Sequence, residues 1–190
     1  MPEVPVCPCA RDVSLMPMRT TELSLLGVDF SSAPSRRKPI TVARGRREGA
    51  VVRLAGIDAL PTLPGFESLL AEPGPWFGAF DFPFGLPRHF VEAHRLGHGT
   101  DAVIAALKQR CPDRMAFRAL VDAWGNGRPA GQRLVHRATD IAHAATSSSP
   151  LQTRYVPVGF MYYEGLARLV AADVTLPGLR AGDPLRRAVE

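Results

Sequence analysis

The chain has 190 residues, 46% of them hydrophobic, which is enough for one domain with a real core and too few for two. No apolar run approaches the length of a membrane span, and the first twenty residues carry Glu3, Asp12 and four prolines where a signal peptide needs an unbroken apolar stretch. Three cysteines cannot pair evenly, so the chain reads as reduced and cytoplasmic, and its net charge of +5 directs attention to anionic partners.

In chain order, residues 1–20 read as a disordered lead-in and residues 21–190 as one domain. Residues 23–30, "LSLLGVDF", form a mostly apolar run closed by turn chemistry and predict a buried strand. "KPITVARGR" and "GAVVRLAGI" predict two more strands in an antiparallel meander, with Ile40, Val42 and Arg44 on one side of the first. "PGFESLLAEPG" predicts a short helix between prolines, and "PWFGAFDF" a fourth strand.

The pattern then turns helical. "LPRHFVEAHRLG" can begin with Pro87 at the first helical position, where a missing N–H costs nothing. "TDAVIAALKQR" offers Thr100 as an N-cap, and "PDRMAFRALVDAWGNG" sets Met115, Leu120 and Trp124 near one face. "HRATDIAHAA" follows, then a polar stretch "TSSSPLQTR" that reads as a flexible loop. "PVGFMYYEGLARLVAADV" spaces Phe160, Tyr163, Leu166 and Val170 as a core stripe. The last residues, "DPLRRAVE", have the pattern of another strand just beginning. Strands followed by a strand with helices predict a mixed α/β sheet.

Two residues carry the chemistry. Asp29 and Asp81 each end an apolar strand, and each is followed by turn-forming residues. If those strands are parallel neighbours, both carboxylates meet at the sheet edge where open α/β folds place their ligands. Carboxylates in close quarters repel unless a cation lies between them, and Mg²⁺ (or Mn²⁺), with its preference for hard oxygen, suits the pair. Taken singly, Asp29 reads as a turn former bonded to the Ser31 or Ser32 N–H, and Asp81 as a cap before the turn at 83–87.

Positive charge gathers nearby. Arg36, Arg37, Lys38, Arg44, Arg46, Arg47 and Arg53 stand against one acid, Glu48, between Phe30 and Gly56, a local excess larger than that of the whole chain. Arg36, Arg37 and Lys38 follow the first strand directly, where with Ser31 and Ser32 they would meet a phosphate. Charges on strand hairpins also serve simply to guard sheet edges. Arg137 and Asp140 share a helix face at i and i+3, either as a phosphate contact beside a metal ligand or as an ion pair. His94 and His98 have the spacing of paired ligands, but Gly97 and Gly99 interrupt the helix there and no third ligand is evident.

"GVDFSSAP" together with "GAFDFPFGLPR", "HRATD" and "PVGFMYYEGLARLVAADVTLPG" resembles the predicted-nuclease family of ribonuclease-H-like fold catalogued as domain of unknown function four-twenty-nine. The likeness runs from about Leu23 to the last residue, and the turn from Asp81 to Pro87 is its most specific part. It implies a ribonuclease-H-like mixed sheet in which Asp29 is the central metal ligand, Asp81 the second and Asp140 a third. It also implies a following strand bearing Glu-x-Tyr-Pro, to which Glu190 would belong as a further ligand. On that reading the domain lacks its last strand and helices. The expected activity is metal-dependent phosphodiester hydrolysis on nucleic acid. The alternative is a non-catalytic nucleotide- or nucleic-acid-binding module, including an inactive truncated relative.

Overall fold

Period-two alternation explains how the sheet is built, and a computed structural model describes it for residues 22–145 and 148–190. The expected lead-in, with Cys7 and Cys9, lies outside the described residues. In β1 (Ser24–Asp29) Leu26 and Val28 are buried, whereas Gly27 and Asp29 are exposed. β2 (Ile40–Glu48) pairs antiparallel with β1, matching Asp29 to Thr41 and Ser24 to Arg46. It buries Ile40 and Val42 completely. Gly49, at φ +63°, opens the two-residue turn to β3 (Val51–Leu60), a left-handed conformation that glycine adopts without steric cost.

α1 (Leu63–Leu70) begins where the Thr62 hydroxyl accepts from the Gly65 N–H, and it buries Phe66, Leu69 and Leu70. β4 (Trp76–Phe80) then lies parallel to β1, with Val28 opposite Phe80. Four helices follow: α2 (Arg88–Ala93), α3 (Thr100–Arg110), α4 (Arg114–Asn126) and α5 (Ala138–Ala142). α6 (Val158–Ala171) leads into β5 (Val174–Thr175) and β6 (Asp183–Val189). β6 pairs parallel with β4, and the sheet order is β3-β2-β1-β4-β6-β5. This is the mixed, ribonuclease-H-like α/β sheet expected, an antiparallel meander joined to parallel strands. Among the described residues no helix is long and apolar enough to cross a membrane.

Several expectations change on contact with the packing. β1 is not buried on both sides. Residues Leu26, Val28, Ile40, Val42, Trp76, Phe80 and Ala188 form one core with the helices, so the helices cover a single face of the sheet. "DPLRRAVE" contributes the seven-residue strand β6, and Ala188 seats in that core on the parallel ladder with β4. Gly99, not Thr100, is the cap of α3, and the Thr100 hydroxyl turns to the Leu179 carbonyl instead. On α4 Met115 is 53% exposed, and Phe117 and Val121 provide the buried contacts. The reason is phase: Met115 stands five residues before Leu120, about 140° around the helix, and so turns away from the face of Phe117, Leu120, Val121 and Trp124. Of the serines expected in a flexible loop, Ser147 lies outside the described residues and Ser149 is buried, its hydroxyl donating to Val135 O and accepting from Leu151 N–H. The α6 stripe behaves as expected at Phe160, Tyr163 and Leu166, all buried.

α6 reaches the strand ends through one close approach. A Cβ at Gly165 would stand 2.6 Å from the Phe82 ring, itself 1% exposed and unable to withdraw. Gly165→Ala is expected to destabilise the fold by about 1–3 kcal/mol through overpacking, read as a lower urea midpoint with an unchanged slope.

Candidate functional site

The site grows from two Asp-Phe steps. After β1 comes Phe30 and after β4 come Asp81 and Phe82. Successive residues of an extended chain point to opposite sides, so each phenylalanine enters the core while each aspartate faces out. Phe30 and Phe82 are 3% and 1% exposed, and their ring centroids are 4.8 Å apart. Phe66 and Phe84 extend the cluster, at 5.0 Å from Phe30 and 5.4 Å from Phe82. The rings thus hold the two aspartates side by side.

Hydrogen bonds complete the junction. The Asp81 N–H donates to Val28 O at 3.2 Å, continuing the parallel ladder, and the Phe30 N–H donates to Asp81 Oδ1 at 2.7 Å. Asp81 therefore bridges between strands instead of capping the turn ahead of it. Burial raises the Asp81 acid above its ordinary value. The Phe30 N–H opposes that shift, while the charge of Asp29 and a hydrogen bond with its carboxyl add to it. The two acids stand level at the ends of neighbouring strands, and the charge of Asp29 works against ionisation of Asp81. Two neighbouring carboxylates, rich in hard oxygen and under mutual repulsion, fit a divalent cation such as Mg²⁺ or Mn²⁺.

Asp140 and Glu190 are held elsewhere. The Arg137 guanidinium donates to Asp140 at 2.6–3.1 Å and to Glu190 Oε2 at 2.6 Å, and it also contacts Glu190 Oε1. The Arg137 N–H donates to Asp140 Oδ2, while Glu190 Oε2 accepts from the Phe84 N–H at 2.9 Å. The hydrogen bond from Arg137 holds the Asp140 carboxyl below its ordinary value against the effect of burial. Arg137 is thus a half-buried clasp that ties α5 and the end of β6 to the turn following Asp81. Among the described residues, no three histidine, cysteine, aspartate or glutamate side chains are grouped to hold a metal. The four expected ligands divide into the Asp29–Asp81 pair and the two carboxylates on Arg137.

Arg36, Arg37 and Lys38 are exposed on the loop joining β1 to β2, at the same sheet edge as Asp29. That loop is pinned by Ser35, whose N–H donates to Lys38 O and whose hydroxyl accepts from Lys38 N–H. Arg44 is spent on Asp58 and Glu72, and Arg46 and Arg53 on Glu48 at the far end of the hairpin. Ser31 and Ser32 are 7% and 6% exposed, and Ser32 lines a small cleft with Thr62, Arg114 and Glu164. His98 is exposed, while His94 packs against Phe90 and Trp124, so the two do not act as paired ligands.

Two features escaped the sequence reading. One is the phenylalanine clamp, whose signal was the repeated Asp-Phe step in "VDFSS" and "FDFPF". The other is a cleft of about 900 Å³ behind the 81–87 turn, floored by Phe84, Leu86, Val103 and Tyr162 and rimmed by Arg88 and Arg95. Most of its lining comes from residues 84–103, but Tyr162, Leu166 and Leu179 close it from far along the chain, and local spacing does not reveal that.

Comparison with models of protein families, with curated proteins and with solved structures finds no match.

The geometry sets two expectations. Asp81→Asn keeps the acceptor for Phe30 and removes the repulsion. Because the Asp81 acid is raised, the stability linked to its proton is present below the ordinary carboxylate range and lost as pH rises through the raised value. The metal-free variant should therefore melt above the parent at neutral pH, and the difference should vanish in acid. Arg137→Met leaves Asp140, whose side chain is 6% exposed, as an uncompensated buried charge. It should cost about 3–5 kcal/mol by urea denaturation.

Proposed function

We propose that this chain is a metal-dependent phosphodiesterase acting on nucleic acid, with Asp29 and Asp81 as the residues that hold Mg²⁺ or Mn²⁺. One observation carries the reading. The two carboxylates end adjacent parallel strands in register, Asp29 one residue past Val28 and Asp81 one residue past Phe80, on the edge that also bears an exposed loop of three cations. A bound ion would supply an acidified water and positive charge at the leaving oxygen. The chain's own residues have separate tasks. Arg36, Arg37 and Lys38 attract and neutralise the phosphate backbone, and their exposure suits a polymer better than a small enclosed ligand. Asp29 and Asp81 would hold that ion at the strand ends. Arg137, Asp140 and Glu190 position the turn that carries Asp81. Ser31 and Ser32 are too enclosed to attack phosphorus and shape the loop between acid and cations, where their hydroxyls remain candidates for bonding a phosphate oxygen.

A second reading has its own support. With Asp140 and Glu190 both engaged by Arg137, only two carboxylates remain for an ion, and a site of that kind suits a non-catalytic nucleic-acid- or nucleotide-binding module. The two readings separate in one set of measurements on the 190-residue chain. As an enzyme, it should cleave labelled DNA or RNA only with Mg²⁺ or Mn²⁺. Asp29→Asn should lower that rate by roughly 100-fold or more while leaving binding in place. Replacing Arg36, Arg37 and Lys38 with alanine should flatten the plot of log affinity against log salt by about 2–3 units of slope. Salt-sensitive binding that ignores a chelator, with no cleavage under any metal, would leave the binding module standing and the nuclease refuted.

A further inference from the structure

Among the described residues nothing covers the sheet face opposite the helices, and that face is apolar. Val52, Leu54 and Ile57 on β3 are 65%, 64% and 64% exposed, and Leu185 on β6 is 54% exposed. Register places these residues on the same side as Leu25, Gly27 and Phe77 in the middle of the sheet. Parallel strands are ordinarily buried on both faces, and an apolar patch continuous across five strands is a surface that associates.

We propose that this face is an isologous interface with a second copy of the same chain. Three properties point to that occupant. The face is a twisted sheet, which packs against another sheet with strands nearly aligned and about 10 Å between layers. From strand spacing and rise, five strands of about six residues present roughly 500 Å² per copy. The pair would bury about 1,000 Å², the lower bound for a specific interface. The charges on the face are also self-complementary. Asp29 and Asp81 lie at the carboxyl ends of β1 and β4. Arg47, beyond the start of β1, and Arg187, level with Phe77, lie toward the opposite ends. A twofold axis across the strands stacks the two sheets antiparallel, so the acidic end of each copy meets the arginine end of the other. Both arginines are exposed and donate only to nearby carbonyls, Arg47 to Gly49 O and Arg187 to Pro184 O, with no ion pair among the described residues. The dimer would thereby bring two further cations of the second copy to the rim of each Asp29–Asp81 pair.

Sedimentation velocity of the 190-residue chain across micromolar concentrations tests the interface. The expected result is a reversible dimer. Leu54→Lys and Ile57→Lys should each weaken it by about 10-fold or more. Both side chains are exposed in the single chain, so neither lysine should alter its circular dichroism. Arg187→Glu should weaken the dimer as well, more at low salt than at high. A chain that stays monomeric throughout, whether its face binds a hydrophobic dye or is shielded by another part of the chain, overturns the proposal. So does a dimer or larger assembly that tolerates both lysines.

Discussion

The contact between Phe30 and Phe82 is the constraint on which the strand-end geometry depends. Each ring follows an aspartate, and each is driven into the core by the same alternation that turns its neighbour outward. Burying two phenyl rings is worth about 3–6 kcal/mol, with a further contribution of about 1 kcal/mol from their tilted packing. Two like charges near a protein surface repel by about 4 kcal/mol at 4 Å. These magnitudes are comparable, so the core can hold two acids closer than their charges would choose. The Asp81 acid is raised chiefly by its burial, and the charge of Asp29 adds to that shift.

The Arg137 clasp does related work by the opposite means. It gathers two carboxylates and satisfies them with a guanidinium, so that Asp140 is buried without an unmet charge. Through Glu190 and the Phe84 N–H, the clasp grips the turn that carries Asp81, while Gly165 admits Phe82 against α6 from below. The turn is therefore fixed at both ends by contacts from the C-terminal half of the chain. Asp29 needs no such support, because the ladders to β2 and β4 already hold β1 on both sides.

What could be read from sequence follows the reach of each signal. The strands and the Asp29–Asp81 convergence were legible because local alternation and a repeated strand–Asp–turn pattern state them directly. The role of Arg137 was half legible: its i+3 spacing to Asp140 predicted a pair, but Glu190, 53 residues away, leaves no trace in local spacing. Met115 shows how phase decides a helical stripe, since its five-residue step to Leu120 sets it about 140° away from the face that packs on the core. "LSLLGVDF" misled in a different way. Apolar content alone cannot distinguish a strand covered on both faces from one covered on a single face, and here Leu25 and Gly27 belong to the open side.

That same alternation decides which acids can meet. Asp29 shares its side of the sheet with Leu25 and Gly27, and Asp81 with Phe77 and Ala79, whereas Glu190 falls in step with Ala188 on the helix-covered side. A strand cannot change the face of one residue without slipping its whole register, and Ala188, wholly buried, opposes any slip. Glu190 is therefore turned toward Arg137 by the pleat of β6 as much as by charge. The Asp29–Asp81 pair, by contrast, opens on the same side as the apolar face that no described residue covers. A reaction at the strand ends and an association across the sheet would consequently share one surface, and any body packed on that face would form a wall of the site.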